Sequence, residues 1–126
     1  MKLSPSDSTA KYRIQTYSDN AISLNNVSYT QSLIITPQQI ISPWEINHFQ
    51  KLSLQNFIDV APLDGEIWLL GTGLKHHFPD PRIVQFANKH RIGLETMTTP
   101  AACRTFNLLL SEDRQVSAFL IIENEQ

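Results

Sequence analysis

The residues best suited to chemistry fall in two short stretches, Gly71-Thr72-Gly73 and Thr98-Thr99-Pro100-Ala101-Ala102-Cys103-Arg104. Paired glycines let a backbone come close to a ligand or to another backbone, and both readings stay open here. Neither phosphate-binding pattern is complete. A dinucleotide fingerprint needs a third glycine and an immediate helix, but position 76 is His. No Lys-Ser or Lys-Thr follows, so the loop is not of the Walker kind either.

Cys103 is the lone thiol. It falls in the first turn of a predicted helix, where the helix dipole and adjacent Arg104 favour a thiolate. A free cysteine is commonly a small buried hydrophobe instead. Arg104 suits an anion at the same helix start, or an ion pair with Glu95 or Asp113. The backbone N–H groups of Ala101, Ala102 and Cys103 add to that potential anion site. Glu95 lies in a strand end that looks inward, where a carboxylate needs a partner, and Arg104 is the nearest in pattern. Asn107 either meets a ligand or bonds back to backbone. The candidate ligand-binding set is therefore Gly71, Thr72, Gly73, Glu95, Thr98, Cys103, Arg104 and Asn107.

No nucleophile, base and orienting group are set at recognisable spacing, so no catalytic residue is assigned and no cofactor is implied. His76-His77 is a tandem pair. Neighbours on an extended chain point opposite ways and chelate poorly, so no metal site is expected. Trp44 and Trp68 suit a core or an interface; Trp44 is the candidate interaction residue.

Elements able to position these residues follow from the pattern. Tyr12, Ile14 and Thr16, then Ile22 and Leu24, then Val27 and Tyr29, then Leu33–Ile35 form short β-rich runs broken by Asn and Asp, as in antiparallel hairpins. Ile40-Ile41 fits one more short strand. Ser42-Pro43-Trp44-Glu45 has the form of a capping box, and Ser53 starts a better helix bearing Leu54, Phe57 and Ile58. Residues 66–70 are nearly all apolar and stop at Gly71, as in a strand buried on both faces. Asp80-Pro81 and Thr99-Pro100 each look like an N-cap followed by proline. The helices after them carry Ile83, Phe86, Ala87 and His90, and Ala102, Phe106 and Leu109. Strands at 92–96 and 115–122 complete a strand–helix–strand–helix–strand half.

The fold class this implies is α/β: one three-layer domain over residues 11–123. It has a mixed central sheet, helices on one face and an additional antiparallel β layer. Residues 1–10 and 124–126 read as loose ends. In such sheets ligands gather at the carboxyl ends of parallel strands, which is where the two chemical stretches fall.

Composition narrows the function classes. The chain has 126 residues, 41% of them hydrophobic, and a formal charge of -2. One cysteine excludes an intrachain disulfide framework and multi-cysteine metal sites. Near-neutral charge argues against a nucleic-acid partner. The first residues lack an apolar signal region and no apolar run approaches a membrane span. The expected place is the cytoplasm, without an integral membrane segment.

Several blocks together resemble a known family. Glu66-Ile67-Trp68-Leu69-Leu70-Gly71-Thr72-Gly73, Ile92-Gly93-Leu94-Glu95-Thr96-Met97 and Ala101-Ala102-Cys103-Arg104-Thr105-Phe106-Asn107 resemble the Mth938-like family, with Tyr29, Ser32-Leu33-Ile34 and Trp44 fitting upstream. The resemblance covers about residues 12–122. It implies a three-layer fold with a mixed sheet. It also implies work by association, because the family's eukaryotic members include mitochondrial complex I assembly factor 3. No family activity is established, so Gly71, Gly73, Glu95, Met97, Cys103, Arg104, Thr105 and Asn107 carry over as a signature only. Thr98 stands where the family usually has an acidic residue, which weakens any acid–base pair with Glu95. Pro100 stands where a small residue is usual. The lack of a mitochondrial-type presequence fits a bacterial cytosolic member.

Two functions are then expected in order. The first is a non-enzymatic protein-interaction or complex-assembly factor with a protein partner, possible as a homo-oligomer. The alternative is a small-molecule (anionic ligand) binding protein or enzyme using the cleft near Gly71–Gly73 and Cys103–Arg104.

Overall fold

A computed structural model of the chain describes residues 12–18, 20–60 and 65–123. The expected loose ends lie outside the described residues. The alternating front of the chain forms β1 (Ile14–Tyr17), β2 (Ile22–Leu24) and β3 (Val27–Tyr29), an antiparallel three-stranded sheet. Asn25 and Asn26, at φ 51 and 63, make the two-residue turn between β2 and β3. Asparagine tolerates that left-handed conformation, and its twist matches the strands.

The main sheet has five strands: β4 (Leu33–Ile35), β5 (Ile40–Ile41), β6 (Ile67–Gly71), β7 (Gly93–Met97) and β8 (Val116–Leu120), in the order β5-β4-β8-β6-β7. β6 runs parallel to both β7 and β8, whereas β4 is antiparallel to β8 and to β5. The mixed sheet and the separate antiparallel layer are those expected from the sequence.

The helices are α1 (Leu54–Val60), α2 (Pro81–Lys89) and α3 (Thr99–Ser111). They divide between the two faces rather than lying on one as the sequence pattern suggests. Chain travel from β6 to β7 goes one way across the sheet, and from β7 to β8 it goes back past β6. Right-handed crossovers in opposite directions put their helices on opposite faces. Period-two alternation sorts the core to match. Leu69, Ala118, Leu120, Leu33 and Ile35 pack with Ala102, Cys103 and Phe106 of α3 and with Ile14, Ile22 and Leu24 of the small sheet. Trp68, Leu70, Phe119 and Ile34 pack with Phe57 of α1 and Ile83 and Ala87 of α2.

The capping-box stretch after Ser42 is not helical. The Trp44 N–H donates to the Ser32 carbonyl at 2.7 Å, which pins the segment to the start of β4 instead. Among the described residues helical backbone begins after this stretch, as a single 3-10 turn at Phe49–Lys51. α1 does follow Ser53, whose N–H and hydroxyl both donate to the Asn56 side chain.

Trp44 is interior rather than presented to a partner. It is 4% exposed, and its ring meets Phe57 and Phe119 edge-on at 5.9 and 5.6 Å. Large rings in such a cluster contribute burial and favourable edge-to-face contact. Trp44→Ala is expected to lower unfolding stability by about 3–5 kcal/mol in urea titration. An unchanged midpoint would show that the ring carries no core packing.

Candidate functional site

Loops after adjacent parallel strands that lead to opposite faces leave a crevice, and ligands favour it. Here that place lies between β6, which leads to α2, and β7, which leads to α3. The crevice is occupied by the protein's own residue, Thr99. Its hydroxyl donates to the Ile121 carbonyl at 2.7 Å and accepts from the Gly73 N–H at 2.9 Å. Its own N–H donates to the Gly73 carbonyl at 2.8 Å. Ile121 N–H in turn donates to the Gly71 carbonyl at 3.0 Å. One buried hydroxyl thereby ties together the ends of β6, β8 and α3.

Gly71 is explained by this closure, and Gly73 by its backbone angle. A Cβ on Gly71 would lie 2.8 Å from the Thr99 Cα, a backbone atom that cannot step aside. Gly73 has φ +101, and a Cβ there would meet the Glu123 carboxylate at 2.6 Å. Close backbone approach is the reading that the geometry carries for the Gly-Thr-Gly motif.

Thr72 is buried between the glycines and organises the turn. Its hydroxyl lies 2.7 Å from the Lys75 carbonyl and 3.2 Å from the Met97 carbonyl, and accepts from His77 N–H at 3.2 Å. Thr98, not Thr99, caps α3: its side chain accepts from Ala101 N–H at 3.3 Å, and its carbonyl accepts from Ala102 N–H. The cap falls one residue earlier than the sequence pattern suggests because the Thr99 hydroxyl is engaged across the sheet. The donors of the first α3 turn that had suggested an anion site at Ala101 and Ala102 therefore bond within the chain.

The other candidates go elsewhere. Cys103 is fully buried beside Ala102 and Phe106, and burial pushes its thiol up to about 12, against a smaller opposing effect of Arg104. At neutral pH it is a protonated core side chain, not the thiolate favoured by its place in the first turn. Arg104 is exposed and donates from Nη1 to the Tyr17 hydroxyl at 3.2 Å, so it serves the α3–β1 seam. The expected Glu95–Arg104 pair does not form among the described residues. Glu95 is exposed on β7 at the sheet edge, where water meets its charge and no buried partner is needed. Asn107 makes a two-way bond with the Ile14 backbone, accepting from N–H at 3.0 Å and donating to the carbonyl at 2.8 Å. β1 shifts register there, and the amide stands in for a missing strand partner.

The sequence pattern marks Thr99 only as a cap and gives Glu123 no role. The Glu123 carboxylate receives the Phe49 N–H at 3.4 Å and lies 3.9 Å from His48 Nδ1. His77 stacks on Phe49 with ring centres 4.7 Å apart. His76 turns away to the Thr96 hydroxyl at 3.0 Å, as adjacent side chains on extended backbone do. Only the spacing of Thr99 before a proline signalled any of this, and it signalled the wrong job.

A family model described as "Protein of unknown function (DUF498/DUF598)" matches residues 14–121. The chain belongs to this family. It is 31% identical over 110 residues to the Drosophila melanogaster protein named NADH dehydrogenase [ubiquinone] 1 alpha subcomplex assembly factor 3, a match covering 83% of this chain and 56% of that protein. The chain thus spans little over half the length of that relative. It is 30% identical over 99 residues to a Francisella tularensis protein named 13 kDa major membrane protein, covering 78% of this chain and 80% of that one. In fold it matches a Mth938-like domain from Bordetella pertussis with a TM-score of 0.79 at 23% identity, over 100% of this chain and 95% of that one. The family resemblance expected from the sequence blocks is therefore correct. The described residues include no helix long and apolar enough to cross a membrane.

The closure makes two expectations. Gly71→Ala should cost about 1–3 kcal/mol in denaturant unfolding, because the added methyl meets backbone rather than a mobile side chain; an unchanged midpoint would refute the closure. Cys103 in the folded chain should react with a small alkylating reagent far more slowly than a free thiol at pH 8, with the rate still climbing above pH 10. Its raised folded value has a second consequence. The unfolded thiol ionises first, so the unfolded state holds fewer protons between the ordinary thiol value and about 12. Stability from this group is complete below the ordinary value and falls as pH rises through that window. A Cys103→Ala variant should lack that part of the decline.

Proposed function

We propose that this chain is a non-enzymatic protein-interaction factor of the complex-assembly kind. The carrying observation is the Thr99 closure. The position where an α/β sheet of this topology would admit a substrate is filled by a hydroxyl with partners on two other segments. Supporting it, Cys103 is a protonated core thiol and Arg104 is committed to Tyr17. A relative named as an assembly factor for NADH dehydrogenase agrees in kind, and transfer of that specific role is an analogy of fold and sequence. The surface supplies contact material: Phe78 is 81% exposed and Leu74 53% exposed on the loop between β6 and α2. Apolar side chains of that size gathered on one loop mark interaction surfaces more often than lone ones do.

The test is capture of the tagged chain under native conditions, with partners identified and quantified by mass spectrometry. A Leu74→Ser/Phe78→Ser variant serves as the comparison. A protein recovered at near-equal amount with the native chain and lost with the variant is the expected result. Native mass spectrometry that finds an anionic small molecule on the purified chain, and no protein partner in capture, would replace this reading with the ligand-binding one.

A further inference from the structure

Among the described residues β7 is the last strand of the main sheet, and its outer edge has no neighbour. Gly93 N–H donates inward to the Glu66 carbonyl, and the Met97 carbonyl accepts inward from Thr72 N–H. In a parallel pair every second residue turns its backbone groups to the neighbour. Gly93, Glu95 and Met97 therefore face β6, and Leu94 and Thr96 turn their N–H and C=O outward. Neither residue is buried, and no described residue pairs with those groups. Open edges are templates for strand addition, and proteins normally blunt them with lysine, proline or a covering loop. Between Gly93 and Met97 this edge carries neither lysine nor proline. Its one charge is Glu95.

Side chains beside the edge define what fits. On the α3 face, exposed Glu95 forms no ion pair among the described residues. On the α2 face, Leu94 is partly buried against the core, and Thr96 bonds His76. The His76 ring in turn lies 4.7 Å from that of Phe78, which is 81% exposed. One side of the edge is acidic and the other apolar and aromatic.

We infer that the β7 edge is a docking site for an extended segment of a partner protein. The segment adds as an antiparallel strand, sets a lysine or arginine opposite Glu95, and places apolar residues toward Leu94 and Phe78. Leu94 and Thr96 supply the hydrogen-bonded pairs. Glu95 then falls in the close, non-hydrogen-bonded pair, where side chains approach most nearly. Opposite charges there stabilise an added strand and like charges repel. The same rule disfavours a second copy of this chain added antiparallel about Glu95, since that would set Glu95 against itself. The inference rests on the interaction reading above and gives it an address and a partner chemistry.

The test uses the full chain and a capped peptide of about seven residues, alternating valine and threonine with a central lysine, against the same peptide with a central glutamate. Amide hydrogen exchange is read residue by residue. The lysine peptide should slow exchange at Leu94 and Thr96 by roughly tenfold while leaving inward-facing Glu95 unchanged. It should bind about fivefold more tightly than the glutamate peptide, and Glu95→Lys should reverse that order. Thr96→Pro, which removes one outward donor, should abolish binding, with the circular dichroism of the variant confirming its fold. If Thr96→Pro does not fold, the charge reversal alone decides. No protection at Leu94 and Thr96, equal affinity for both peptides, or a native dimer joined through β7 would each overturn the inference. A captured protein partner that leaves Leu94 and Thr96 exchanging freely would overturn this edge while sparing the interaction reading; recovery of a small molecule with no protein partner would overturn the interaction reading itself.

Discussion

The Thr99 hydroxyl holds two backbone groups from different strands at once, the Gly73 N–H and the Ile121 carbonyl. Buried polar backbone at the ends of parallel strands must find partners inside the protein. In many sheets of this class a ligand or water provides them. Here a threonine at the start of a helix does so. That single arrangement requires Gly71 to lack a side chain, lets Gly73 take its left-handed turn under Glu123, and moves the α3 cap to Thr98. The Gly-Thr-Gly motif, the helix start and the end of β8 form one unit.

Two hydrophobic half-cores follow from the same topology. β6 lies between β8 and β7, so its alternate residues serve both faces, with Leu69 under α3 and Trp68 and Leu70 under α1 and α2. The small antiparallel sheet covers the α3 side, and Asn107 and Arg104 bind it there through Ile14 and Tyr17. Much of the signature that looked like a ligand-binding set is thus the means by which α3 joins two sheets. The proposed recognition surfaces, the apolar loop and the outer edge of β7, lie apart from that joint.

The sequence made some of this legible and not the rest. The buried strand ending at Gly71, the Asp80-Pro81 start of α2 and the alternation of the front strands are local patterns, and each appears where its residues predict. Asp80 accepts from Arg82 N–H as a cap should, and contact with the Arg82 side chain holds its carboxyl below the usual range. Long-range partnerships were not legible. The helix form of Ser42-Pro43-Trp44-Glu45 lost to one bond from Trp44 to Ser32. Arg104 sits on the same side of the sheet as Glu95 but turns to Tyr17 of β1, a strand far away in sequence. The first-turn place of Cys103 allows a thiolate or a core thiol, and burial decides for the core thiol. The partners that explain Gly71 and Gly73, Thr99 and Glu123, come from other elements, so the motif showed that something approached closely without showing what.

Native-state hydrogen exchange at Gly73 tests the closure most directly. A glycine N–H in a loop that admits ligands exchanges within a local opening of small free energy. If Thr99 closes the crevice, the Gly73 amide should exchange only with global unfolding, at the same free energy as core amides of β6 such as Leu69. Exchange at loop-like rates, well below that limit, would show that the crevice opens on its own and would contradict the account.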